Sequence, residues 1–196
     1  MSSMRTPKAF STTDLIHHAP IGVGAVWAAA FEKARLVLTC IAGKVYDLND
    51  SAGTGAAFKI VNQLLAGVHI AVACDAIAIA KAMGLDMARV YEVITASAGN
   101  SWMFETRVPH ILEGDDAPGL PSKSSPKDFG GVFDIWRGLT FPTPLASMAL
   151  QMFVMTAAAG MGRDDDASVA RMIANLVGLD LPGKTEILHA TGRRRL

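Results

Sequence analysis

The chain has 196 residues, enough for one large domain or a domain with an appendage, and enough to bury a real core. Hydrophobic residues make up 51% and charged residues 18%, too apolar for a disordered chain and suited to a buried helical protein or to one that hides further surface in an oligomer. Lysine plus arginine and aspartate plus glutamate balance at 18 each, so no global field points to nucleic acid or to an anionic membrane.

Met1 to Asp14 mixes Ser, Thr, Pro and charge without an apolar stretch, which argues against a secretory signal and for a cytoplasmic protein. Ala19-Pro20-Ile21-Gly22-Val23-Gly24-Ala25 has the Pro and Gly content of a loop at the end of a short strand. Phe31, Ala34, Leu38 and Ile41 are spaced as on a helix that runs to Ala42 and stops at Gly43. Lys44 to Leu48 alternates like a short strand. After Asp50 the character changes. Gly53 and Gly55 precede a periodic run from Ala56 to about Met83, apolar on almost every face, which predicts a central helix surrounded by others and ended by Gly84. Asp86 caps a helix from about Met87 to Ala96, and Ser101 to Glu113 reads as another, bent or shifted at Pro109. A loop over residues 114–126 follows, then helices over 127–138, 144–160 and 165–176, the last capped by a run of aspartates.

The fold expected is therefore mainly α, an all-helical bundle around a long central helix, preceded by a short α/β remnant. The boundaries are 1–50 for the remnant, 51–180 for the helical domain and 181–196 for a tail. Arg193-Arg194-Arg195 reads as a solvated end of that tail. Cys40 and Cys74 read as small buried hydrophobes in a reducing compartment. No Cys, His and carboxylate spacing suggests a metal site. Leu139 to Gly162 carries no charge and is long enough to span a bilayer. Pro142 and Pro144 interrupt its front, and Arg163-Asp164-Asp165-Asp166 follows it where a basic anchor would stand, so it reads as a core helix and no membrane partner is expected.

The segment Gly53-Thr54-Gly55-Ala56-Ala57-Phe58-Lys59-Ile60-Val61-Asn62-Gln63 carries the strongest chemistry. Glycines before a helix let backbone approach a ligand, and the helix N-terminus presents free N–H groups and a positive end. Lys59 lies about one turn inside, where that dipole and partial burial would both disfavour its ammonium and bring it toward proton transfer. Asn62 and Gln63, three and four residues on, share its face and can hydrogen-bond a polar substrate. The bland alternative is a lysine snorkelling from an otherwise buried helix. His69 reads as a satisfied core histidine or an interface polar group, and Trp102 and Phe104 as core or dimer packing. In Lys127-Asp128-Phe129-Gly130, Asp128 can be only a cap and Lys127 only solvated. Gly160 to Asp166 reads as a structural helix-to-helix turn.

Glycine-x-glycine, three residues, lysine, then an amide resembles the signature that opens the C-terminal domain of the β-hydroxyacid dehydrogenases, also called 3-hydroxyisobutyrate dehydrogenase-like. The resemblance covers about residues 31–178. Gln63 to His69 and Ala98 to Arg107 look most like the L-threonate branch. It implies that Lys59 is the catalytic acid/base, that Asn62 and Gln63 bind substrate, and that Asn100, Ser101 and Arg107 line the substrate cleft of a small hydroxy acid. It also implies that Lys127, Gly53 and Gly55 serve the cofactor, NAD or NADP, and that the chain forms a homodimer through its helical domain.

The family places a Rossmann domain with a glycine-rich fingerprint ahead of this helix. No Gly-x-Gly-x-x-Gly stands upstream of Gly53 here. Residues 19–25 resemble the family's substrate loop, with His18 in place of its Asp, Gly22 of its Ser and Val23 of its first Gly. The chain is thus expected to be the C-terminal domain of an NAD(P)-dependent oxidoreductase of the L-threonate or 3-hydroxyisobutyrate type, inactive alone. The alternative is a non-catalytic helical dimerisation module from a truncated dehydrogenase.

Overall fold

In a computed structural model of the chain, the residues described are 21–23, 28–42, 44–46, 53–115 and 138–182. The chain divides into two compact units, Met1–Gln63 and Leu64–Leu196. In the first, strand β1 (Ile21–Val23) leads through helix α1 (Ala28–Ile41) to strand β2 (Lys44–Tyr46). The strands pair in parallel, Ile21 opposite Lys44 and Val23 opposite Tyr46, a pairing that needs a crossover rather than a hairpin. The stretch read as a loop at a strand's end thus contains the strand itself.

On α1, Leu38 and Ala42 are buried, whereas Leu36, Val37 and Cys40 are exposed. Cys40 was expected inside. At ~100° per residue it stands about 200° around the helix from Leu38, so burying one face turns it outward.

Helix α2 (Thr54–Ala82) is 29 residues long and crosses the division between the units. In the second unit Ile70, Ala71, Ala73, Cys74, Ile77 and Ala78 form its buried face, with Val72 and Ile79 exposed opposite. The expectation of a helix surrounded on all sides is corrected to one covered on a wide face. An apolar pattern tells which residues can be buried, but not how many neighbours exist to bury them. His69 is exposed, so it is not a core histidine.

Helices α3 (Met87–Thr95) and α4 (Trp102–Glu113) pack together and start as the sequence indicates. The Asp86 carboxylate accepts from the backbone N–H of Arg89 at 2.7 Å, and the Ser101 hydroxyl accepts from that of Phe104 at 3.0 Å. The rings of Tyr91 and Phe104 stack with centroids 6.1 Å apart. Phe104 is core, while Trp102 is 37% exposed. Helix α4 runs through Pro109, which has no N–H to give the carbonyl of Glu105 one turn back. The Tyr91 hydroxyl donates to that carbonyl at 3.1 Å, so α3 replaces the hydrogen bond that α4 lacks. Tyr91→Phe is expected to cost about 0.5–1.5 kcal/mol with the ring stack kept, measured as a shift of the urea midpoint.

Helix α5 (Pro144–Thr156) opens with proline at its first position and buries Ala146, Ala149, Phe153 and Thr156. It continues as a single π turn, Ala157–Met161, and kinks at Gly160, whose φ of 93° suits glycine. The final helix begins with a 3-10 turn (Asp166–Ser168) before α6 (Val169–Leu176), rather than as one α-helix from 165. Leu145, Met148, Val154 and Met155 of α5 are exposed, so the expected core helix is buried on one face only. Both α2 and residues 144–161 are long and apolar enough to cross a membrane, by length and composition.

The Gly43 stop, the 116–126 part of the loop, the Lys127 motif, residues 18–20 of the substrate-loop likeness and the arginine tail lie outside the described residues.

Candidate active site

Gly53 begins the site. Its φ is 97°, a left-handed conformation that an L side chain rarely adopts, and a Cβ built on it would meet nothing within 4 Å. The turn is thus open on the side where a ligand would approach backbone. The carbonyl of Gly53 accepts from the N–H of Ala57 at 3.0 Å, which closes the first turn of α2. Gly55 lies buried within that turn.

One turn on, the Lys59 ammonium or amine nitrogen Nζ donates to Oε1 of Gln63 at 3.0 Å. The spacing of four residues predicted this shared face, and the structure joins the two side chains on it. Both are half-buried, and Asn62 beside them is exposed. A glutamine oxygen cannot take a proton from the lysine, so this bond orients Nζ and adds no charge of its own.

In the second unit, Asn100 and Ser101 stand at the start of α4. The Asn100 amide donates to the carbonyl of Thr95 at 3.0 Å and to the Glu105 carboxylate. Its Oδ1 is buried and has no partner. Ser101 is engaged as the N-cap. Both therefore shape the entry to α4 in addition to any contact with an acid.

Arg107 was expected in the substrate cleft. It is 8% exposed, and its Nε donates to Oδ1 of Asp166 at 2.7 Å. Asp166 and its neighbour Asp165 are 2% and 1% exposed. Burial pushes the Asp166 carboxyl up to about 7, with Asp165 adding to the shift and the Arg107 guanidinium opposing it. His110 Nδ1 lies 3.4 Å from Asp165 Oδ1. Composition and spacing did not pick out this group. Its signal in the sequence is two successive aspartates that are followed at once by Ala-Ser-Val-Ala, where solvated acids have no reason to stand. Cys74, behind it on α2, has its thiol pushed well above the ordinary range by burial, and then by Asp166, which makes it inert. Among the described residues, no group of His, Cys, Asp and Glu could hold a metal ion.

Residues 53–173, more than half of the chain, match the family described as NAD-binding of NADP-dependent 3-hydroxyisobutyrate dehydrogenase. The chain belongs to that family. The match begins at Gly53, where the structure opens its turn. An L-threonate dehydrogenase of Cupriavidus necator is 50% identical over 159 residues, covering 81% of this chain and 52% of that one. One from Escherichia coli strain K12 is 43% identical over 178 residues, covering 84% and 58%. A crystal structure of 3-hydroxyisobutyrate dehydrogenase from Salmonella typhimurium superposes with a TM-score of 0.76 at 42% identity, over 79% of this chain and 54% of that one. The chain thus spans about half the length of the dehydrogenases that it matches. The family expected from the Gly53–Gln63 segment and the L-threonate branch expected from Gln63–His69 and Ala98–Arg107 are borne out, as is NAD or NADP as the family's cofactor.

Proposed function

We propose that the chain supplies the lysine-bearing helix of an NAD(P)-dependent dehydrogenase that oxidises the hydroxyl of a small β-hydroxy acid, L-threonate first and 3-hydroxyisobutyrate second. The observation that carries this reading is the Lys59–Gln63 hydrogen bond, one turn inside a helix whose glycine-led start also opens the family match. The open backbone at Gly53 fits an anionic group of a nucleotide or an acid. Gly53, Gly55 and Lys127 are the residues proposed to hold the cofactor side.

Bound NAD(P)+ supplies the hydride acceptor. Lys59 Nζ, oriented by Gln63, takes the hydroxyl proton as the carbinol carbon gives up its hydride, so that the C–O bond becomes a carbonyl. Asn62, exposed beside Gln63, is placed to bind a further hydroxyl of a polyhydroxy acid. Asn100 and Ser101 enter as substrate residues on the sequence resemblance alone. Arg107 enters as the anchor of α4 through Asp166, since its Nε is already engaged there.

The test is reduction of NAD+ and NADP+ with L-threonate and with 3-hydroxyisobutyrate, alongside calorimetric titration of the chain with NADH and NADPH. The chain by itself is expected to give no turnover; joined to a nucleotide-binding domain of the family, it is expected to turn over L-threonate faster than 3-hydroxyisobutyrate. A second reading, a non-catalytic helical module that pairs with its own copy, is favoured by the exposed Val72 and Ile79 at 59% and 61% on α2. No turnover even when so joined, no nucleotide binding and a stable dimer in sedimentation would decide for that module.

A further inference from the structure

The contact between α4 and the 165–168 turn contains more acid than base. Arg107 is its permanent cation; it pairs with Asp166, and Asp165 stands beside that carboxyl, both acids almost wholly out of water. A buried group of this kind is costly with a net charge. One cation against two carboxylates leaves one negative charge over, and one bound proton removes it.

We propose that Arg107, His110, Asp165 and Asp166 form a buried latch that holds one proton, and that release of this proton loosens α4 from the 165–168 turn. Two places in the latch can hold the proton. Asp166 Oδ1 accepts from Arg107, which leaves its other oxygen to carry a hydrogen toward Asp165. His110 Nδ1 faces Asp165 Oδ1 at 3.4 Å. The neighbourhood is under-satisfied as well: His110 Nδ1, Asp165 Oδ2 and Ser168 Oγ are buried with no hydrogen-bond partner. Asp165 Oδ1 accepts from the Ala167 N–H at 2.9 Å, and among the described residues no hydrogen-bond donor beyond that one and Arg107 meets the two acids to steady a second negative charge.

The other groups near the latch do not supply the missing charge. From α2 comes the neutral Cys74 thiol, whose Sγ lies 3.7 Å from the Ala167 carbonyl. On α6, Arg171 pairs with Asp164 at 2.8 Å, and that acid offsets its charge. Helix α5, which packs on α6, carries no charged residue.

The sign follows from the carboxyl that titrates. With its folded value raised to about 7, Asp166 takes up a proton on folding. The stability it lends is fully present below the ordinary carboxylate value and is lost as pH rises through 7. The loss amounts to as much as about tenfold per pH unit between pH 5 and 7, and levels off above. The latch is independent of the dehydrogenase reading, because it concerns the docking of one helix and not turnover.

The experiment is hydrogen exchange of the α4 amides in the full chain from pH 5 to pH 8, corrected for intrinsic rates, in the wild type and in Asp166→Asn. Asparagine keeps an oxygen for Arg107 and offers Asp165 an N–H where the protonated acid has an O–H. Protection of α4 is expected to fall severalfold or more from pH 5 to pH 7 in the wild type, and to stay flat in the variant. Wild-type protection that does not fall, or a fall of equal size in Asp166→Asn, overturns the latch. Should that variant not fold, Asp165→Asn removes the surplus charge while leaving the Arg107–Asp166 pair. The same flattening is expected there, and a persisting fall overturns the proposal. Should neither variant fold, the wild type decides: a fall confined to α4 supports the latch, and one shared equally with α5 overturns it.

Discussion

With the chain joined to a nucleotide-binding domain of its family, Lys59→Met is expected to lower hydroxy-acid-dependent reduction of NAD(P)+ by about 10²- to 10⁴-fold, the usual contribution of a positioned acid or base. Methionine and lysine are similar in length and in helix propensity, so α2 should keep its helicity by circular dichroism. The fall belongs in kcat as well as in kcat/KM, because the proton is transferred only on the way to the transition state. Gln63→Ala leaves Nζ in place without its partner at 3.0 Å and is expected to have a smaller effect in the same direction. Activity that survives Lys59→Met unchanged would rule out the lysine as the base, even in a chain that binds nucleotide.

Arg107→Met is expected to destabilise the second unit by about 3–5 kcal/mol at pH 7.5, the usual cost of breaking a buried ion pair by removing one partner. The guanidinium is 8% exposed and sits 2.7 Å from a carboxylate that is 2% exposed. Methionine fills similar volume but leaves Asp166 facing apolar surroundings. The cost should shrink at pH 5, where Asp166 takes up a proton and no isolated charge is left. Urea unfolding of wild type and variant at the two pH values measures this. An equal loss at both would mean that packing by the arginine stem, rather than its charge, holds the contact.

These two residues also divide what could be read in the chain from what could not. Lys59 and Gln63 are joined by a local rule, since residues four apart on a helix face each other whatever surrounds them. The same locality explains why Asp86, Ser101, Gly84 and Pro144 mark their helix ends as expected. Arg107 and Asp166 are 59 residues apart, and nothing near either one names the other. The sequence therefore points Arg107 toward the substrate, and it reads the aspartates as a cap, which Asp165 is through the Ala167 N–H at 2.9 Å, without naming the arginine that meets Asp166. The exposure of Cys40 and of one face each of α2 and α5 has a similar origin. Apolar spacing reports capacity for burial, whereas actual burial needs a neighbour.

By itself the sequence determined the described helices, their caps and the lysine on its glycine-led helix, because each rests on periodicity or on contacts within one turn, while the family was legible through the resemblance of the Gly53–Gln63 segment. Only the tertiary structure decided that Tyr91 restores the hydrogen bond lost at Pro109, and that one arginine is set against two buried aspartates. Both are meetings of side chains from separate elements, where burial makes an unmet hydrogen bond or an unbalanced charge costly.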